Sequence, residues 1–132
     1  MNGGINTKVG EIMTDKLETV EADTTTHEVM KIMATRKIRS VLVKPKDVDD
    51  IPGVITVRDL VYKVIAKDLD PKKIKAVNIA TKPLIYLTKD MRIEYAAKLM
   101  DALNINGVFI KNGEEIVGGV ALSDIIRAVV KE

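Results

Sequence analysis

Apolar positions along this chain switch between two spacings, and the switching occurs twice in the same order. Leu17 to Val20 and Leu84 to Leu87 are short extended runs that predict a strand each. After the first, Asp23 to Lys37 carries Val29, Met30, Ile32 and Met33 at helical spacing, opened by Thr25 with Glu28 three residues on, the pattern of a capping box. After the second, Ile93, Ala96, Ala97, Leu99, Met100 and Leu103 share one helical face, with Asp90 as the expected N-cap. Two β-rich runs follow in each half: Ser40 to Val43 with Gly53 to Thr56, and Val108 to Ile110 with Ile116 to Ala121. Each pair reads as a hairpin, the second turning at Asn112-Gly113. Asp59 to Ala66 and Asp124 to Val130 then predict a closing helix for each half.

The halves are copies of one another. Sliding the chain by 67 positions places Lys8 on Lys75, Thr14 on Thr81, Asp23 on Asp90, Met33 on Met100 and Val41 on Val108. An offset of 65 then places Ile51 on Ile116, Gly53 on Gly118, Asp59 on Asp124 and Val64 on Val129. The slip falls in the polar stretch Lys44 to Asp50, read as a hairpin loop. The repeats run over 8–67 and 74–131, joined by a polar linker at Asp68 to Lys73. The expected fold is α+β: two tandem β-α-β-β-α repeats packed sheet-to-sheet with pseudo-twofold symmetry. A repeat of about 60 residues is marginal alone, so the core is expected between the two sheets.

Composition narrows the chemistry. The 132 residues are 46% apolar and 30% charged, enough for an aliphatic core around one Phe, three Tyr, six Met and no Trp. A net charge of +2 and scarce aromatics make no case for nucleic acid. Without cysteine, disulfides, thiolate metal sites and cysteine nucleophiles are excluded, and His27 stands alone, with no second histidine for a metal site or a triad. The longest apolar stretch, Ile116 to Leu122, falls far short of the roughly 20 residues that span a bilayer. The start of the chain, Met1 to Gly4, lacks the features of a secretory signal, so the expected location is the cytoplasm, away from any membrane. The acidic Asp47, Asp49 and Asp50 read as a solvated turn rather than a calcium loop.

The most informative residues lie where the third strand of the first repeat meets its second helix. Unpaired backbone N–H groups at a helix start attract anions, Thr56 adds a hydroxyl, and Arg58 adds a forked cation suited to phosphate. The carboxylate of Asp59 can accept ribose hydroxyls, as an acidic residue does in dinucleotide folds. Together they suggest a nucleotide, although Thr56 and Asp59 also suit a helix cap and Arg58 a solvated surface.

The sequence here resembles the cystathionine beta-synthase (CBS) domain family, specifically a CBS pair or Bateman module, over nearly its whole length. The motif Gly-hydrophobic-x-Thr-x-x-Asp is matched by Gly53, Thr56 and Asp59, and by Gly118 and Asp124 with Ala121 in the Thr place. The resemblance implies a non-enzymatic sensor of AMP, ADP, ATP or S-adenosylmethionine, a regulatory ligand rather than a catalytic cofactor, held in two composite clefts between the repeats. It implies a first cleft of Thr56, Arg58 and Asp59 with Thr81, Leu84, Ile85, Ile105 and Asn106. The second would use Ser123 and Asp124 with Met13, Thr14, Leu17, Ile38 and Arg39. Ala121 and Ser123 weaken the second cleft, which favours the first. The family also implies a homodimer through the helices, and the absence of an effector domain implies that a separate, unidentified effector protein or the oligomer itself reads the signal. The alternatives are a ligand-free dimerisation or scaffold module, and an enzyme acting on nucleotides, for which no nucleophile or acid–base pair is evident.

Overall fold

The computed structural model describes residues 6–131. Residues 1–5, on which the reading of the chain start rests, and Glu132 lie outside the described residues. In chain order the elements are α1 (Val9–Ile12), β1 (Thr19–Val20), α2 (Thr26–Arg36), β2 (Ser40–Val43), β3 (Gly53–Thr56) and α3 (Val57–Leu60), which continues into a π-helical turn (Val61–Ile65). Then come α4 (Ala76–Ile79), β4 (Tyr86–Leu87), α5 (Ile93–Leu103), β5 (Gly107–Asn112), β6 (Glu115–Ala121) and α6 (Leu122–Lys131).

The chain folds as two compact units. A central unit runs from Glu18 to Leu84, and a terminal unit combines the segment up to Leu17 with the chain from Ile85 onward. The leading segment of each sequence repeat, with the short helix α1 or α4, therefore folds with the strands of the other repeat. Each unit is α+β with one three-stranded sheet, ordered β1-β2-β3 and β4-β5-β6, the first pair parallel and the second antiparallel.

Each unit has its own buried cluster. In the central unit Val29 and Met33 of α2 meet Val41, Val43 and Ile55 of the sheet, with Leu60, Val64, Ala76 and Ile79. In the terminal unit Ile93, Ala96 and Met100 of α5 meet Val108, Ile110 and Val120, with Val9, Leu87 and Ala128. Alternation along β3 and β5 puts Ile55, Val108 and Ile110 inward, as period-two strands require.

Helix boundaries follow the expected apolar pattern, but their caps do not all follow it. The Thr25 hydroxyl accepts the Glu28 N–H at 3.1 Å, as expected. Asp90 does not cap α5. That helix starts from Arg92 without a side-chain cap, and the Ile93 N–H donates to the Thr7 carbonyl at 3.0 Å. The matching bond in the central unit runs from the Thr26 N–H to the Ile74 carbonyl at 2.7 Å. Both donors are satisfied by a remote segment that local sequence patterns cannot show.

The linker is docked rather than free. The Pro71 carbonyl accepts both the buried Thr26 hydroxyl, at 2.9 Å, and the His27 N–H, at 3.1 Å. The second hairpin turns one residue later than expected: Asn112 pairs with Glu115, leaving Gly113 and Glu114 as the loop. Gly113, at φ 65°, supplies the left-handed conformation that turn needs. A register shift lies between Ile110 and Lys111, and β5 and β6 both run longer than the apolar pattern suggested. The short helices α1 and α4 have no counterpart among the expected elements.

Candidate functional site

Each unit places an aspartate at the junction of its last strand and the following helix, and a remote segment beside that junction. In the central unit Thr81 bridges β3: its N–H donates to the Val54 carbonyl at 2.8 Å, and the Val54 N–H returns to the Thr81 carbonyl at 3.0 Å. In the terminal unit Thr14 and Gly119 exchange the same two bonds, both at 2.9 Å. The motif glycines make these approaches possible. A Cβ on Gly53 would stand 2.9 Å from the Ala80 Cβ and 3.0 Å from the Thr81 carbonyl oxygen. On Gly118 it would stand 2.5 Å from the Met13 sulfur and 2.9 Å from the Thr14 carbonyl oxygen.

The Asp59 carboxylate is 13% exposed and held from several sides. Its Oδ2 accepts the Thr56 N–H at 2.8 Å and the Thr56 hydroxyl at 3.1 Å, while the Asp59 N–H donates back to that hydroxyl at 3.2 Å. This is a complete capping box, with aspartate in the reciprocal place. Oδ1 pairs with the Lys63 ammonium at 3.1 Å. Lys63 also donates to the Ile79 carbonyl at 3.0 Å and the Thr81 hydroxyl at 3.3 Å, so all three of its donors are engaged. Beside this network the Arg58 guanidinium lies over the Tyr62 ring, 5.3 Å from its centroid.

The backbone donors expected at this helix start are largely taken. The Val57 N–H donates to the Arg39 carbonyl at 3.2 Å, and the Asp59 N–H is held by Thr56. The helix is one α-turn before the π-helical turn, so side chains rather than a long helix dipole set the electrostatics here.

Asp124 is held more loosely. Its Oδ2 accepts the Ala121 N–H at 2.8 Å, and its Oδ1 pairs with Arg127, one helical turn on. Ala121 has no hydroxyl to accept the Asp124 N–H or to donate to the carboxylate. An open pocket of ≈ 370 Å³ adjoins Asp124 and Arg127, lined also by Glu11, Ile12 and Met13 of the leading segment and by Lys131. Thus the pocket lies beside the aspartate that sequence reasoning ranked second.

The structure brings Thr56, Arg58, Asp59, Thr81 and Leu84 into the central unit, together with Ile38 and Arg39. It brings Met13, Thr14, Leu17, Ser123 and Asp124 into the terminal unit, together with Ile85, Ile105 and Asn106. In both units, residues of the two sequence repeats meet at the aspartate junction. Ile38 packs against the central cluster, and Met13, Ile85 and Ile105 against the terminal one.

Sequence reasoning missed Lys63 and Arg127. Their spacings from the aspartates, four and three residues along a helix, are the signal that would have found them. It also read Asp50 as solvated, whereas its carboxylate is 11% exposed and bonded to the Lys82 ammonium at 2.6 Å. That bond, with the Lys46 N–H at 2.9 Å, lowers the pKa of Asp50 to about 2. In the terminal unit burial raises the pKa of Tyr86, whose ring also carries the Lys111 ammonium 4.0 Å from its centroid.

A family model described as the CBS domain matches this chain twice, over residues 9–66 and 74–131. The chain is 27% identical over 141 residues to the mitochondrial CBS domain-containing protein CBSX3 of Arabidopsis thaliana, covering 99% of this chain and 68% of that one. It is 30% identical over 120 residues to an uncharacterised protein of Methanopyrus kandleri, covering 90% of this chain and 61% of that one. Among solved structures, a hexameric CBS-CP12 protein from bloom-forming cyanobacteria superposes with a TM-score of 0.83 at 31% identity, covering 90% of this chain and 69% of that one. The chain thus spans about two thirds of the length of these relatives. Among the described residues, no helix is long and apolar enough to cross a membrane.

Proposed function

This chain belongs to the CBS domain family, a family of regulatory modules, and from that premise we propose that it is a non-enzymatic sensor of an adenosine-containing ligand. The ligand binds at the Asp59 junction of the central unit, with the carboxylate taking ribose hydroxyls and Arg58 facing phosphate. The observation that carries this reading is the meeting of Thr56 and Asp59 from one repeat with Thr81 from the other. Neither repeat alone assembles that set of groups, so occupancy couples segments far apart in sequence. Ligand affinity that differs between two states of the protein is what converts such binding into a signal, read by a separate effector protein.

The assembly we assign is a homodimer through α3 and α6. Exposed apolar side chains recur along α3 with its π-helical turn and along α6 at matching positions, Val57, Val61 and Ile65 in one unit and Leu122, Ile126 and Val130 in the other. The hexameric cyanobacterial relative supports assembly of CBS chains in general.

A thermal-shift titration of wild type and Asp59→Ala with AMP, ADP, ATP, S-adenosylmethionine and guanosine nucleotides tests the sensor. A ligand at a hundred times its Kd stabilises the native state by about 2.7 kcal/mol, so a clear rise in Tm is expected for one adenosine ligand and not for Asp59→Ala. Unchanged melting with every nucleotide, on folded and nucleotide-free protein, overturns it. The second reading is a ligand-free scaffold, which the internally satisfied Thr56–Asp59 cap and the exposed helix stripes favour. It predicts a dimer whose melting ignores all of these compounds.

A further inference from the structure

Resting on the sensor reading above, the structure also bears on which adenosine ligands the Asp59 junction accepts. A carboxylate offers about four acceptor positions, two on each oxygen. Thr56 fills both positions of Oδ2 through its N–H and its hydroxyl, and Lys63 fills one of Oδ1. One position remains, whereas a ribose diol brings two donors. A ribose that engages Asp59 with both hydroxyls must therefore displace either the cap or Lys63.

The cap is the harder to move. Its bonds are made by the backbone and by a half-buried hydroxyl within one helical turn, and losing them would leave the Thr56 N–H without its acceptor. Lys63 sits at the end of a flexible stem and is 43% exposed, so its ammonium can leave without unfolding anything. Leaving has a cost, however, because the ammonium gives up its only anionic partner among the described residues along with two neutral acceptors.

We propose that Lys63 is a tethered cation that occupies Asp59 in the free protein and makes the site selective for phosphorylated ligands. An arriving nucleotide takes the Oδ1 position and presents its phosphate as the new counter-charge for the released ammonium. A neutral nucleoside offers no such exchange, and a cationic sulfonium opposes it. Selection is thus built into the displacement step, in addition to any direct contact with Arg58. In the terminal unit the position matching Lys63 is Ala128, and Asp124 pairs instead with Arg127, three residues on along its own helix.

The test is isothermal titration of wild type, Lys63→Gln and Lys63→Arg with adenosine, AMP, ATP and S-adenosylmethionine. In wild type AMP is expected to bind at least about tenfold more tightly than adenosine, the size of one charge-assisted hydrogen bond. Lys63→Gln, which keeps a donor for Ile79 and Thr81 but no charge, should narrow that preference to about threefold or less, chiefly by tightening adenosine. Lys63→Arg should restore it. A preference unchanged in Lys63→Gln, or S-adenosylmethionine binding more tightly than AMP to wild type, overturns the role of Lys63 while leaving the sensor standing. Absence of binding to wild type and both variants overturns the sensor, and the selectivity with it.

Discussion

Asp59 and Asp124 occupy matching positions, yet their surroundings differ. Asp59 is locked by a complete capping box and a lysine that also reaches the remote segment. Among the described residues Asp124 is held by the Ala121 N–H and by a single arginine from its own helix, and an open pocket adjoins it. The hairpins differ in the same sense. The central one carries a long loop fastened by Asp50 to Lys82, whereas the terminal one closes in two residues. Duplication preserved the backbone exchange between strand and remote segment in both units, through Val54 with Thr81 and Gly119 with Thr14. What diverged is the side-chain chemistry laid over it.

The largest effects should come from the shared element. Gly53→Ala and Gly118→Ala each push a Cβ against a backbone carbonyl oxygen closer than such atoms ordinarily come. Overpacking of this kind costs about 1–3 kcal/mol. Urea denaturation should show both losses, with the Val54–Thr81 or Thr14–Gly119 amides losing hydrogen-exchange protection in the matching variant alone. Equal protection loss at both junctions in either variant would mean that the two approaches are not independent.

Acid exposes the difference between the hairpins. Asp50 has a folded pKa of about 2 against an ordinary 3.8, so it binds protons more weakly in the folded state than in the unfolded one. Its contribution is therefore fully present above about pH 4 and is lost as pH falls toward 2. Wild type should lose stability across that window, and Asp50→Asn should show a shallower loss because it lacks the titrating group. Identical acid profiles would show that the bond to Lys82 persists in the unfolded chain or is not formed. The terminal hairpin has no equivalent pair among the described residues, so its exchange rates should not follow this transition.

Much of this organisation was legible from spacing alone. The 67- and 65-residue offsets identified the repeats, and apolar periodicity located the two eleven-residue helices and both hairpins, because one face of each is buried. The reassortment into a central and a terminal unit was not legible. It depends on backbone bonds such as Thr26 to Ile74 and Ile93 to Thr7, which any residue type but proline can donate. The short helices α1 and α4 were missed for a related reason, since four residues carry too little periodicity to register. At the site, Thr56 and Asp59 stood out as a motif, while Lys63 did not, because a lysine on a helix face usually means only solvent.

The smallest effect, and the most direct exchange between the two junctions, is a reciprocal swap of the cap hydroxyl. Thr56→Ala removes the acceptor of the Asp59 N–H and one donor to its carboxylate, a loss of about 1 kcal/mol for a typical N-cap. Ala121→Thr introduces the same hydroxyl where the strand already ends in the matching geometry, with the Ala121 N–H on Asp124 Oδ2 at 2.8 Å. It should gain a comparable or smaller amount by urea denaturation, since the exposed new side chain must still be ordered. If the loss and the gain match, the hydroxyl acts locally and the two junctions are interchangeable apart from their cations. If Thr56→Ala costs clearly more than Ala121→Thr returns, the excess measures coupling through Asp59 to Lys63 and Thr81. The terminal unit, with Ala128 in place of that lysine, cannot supply such coupling.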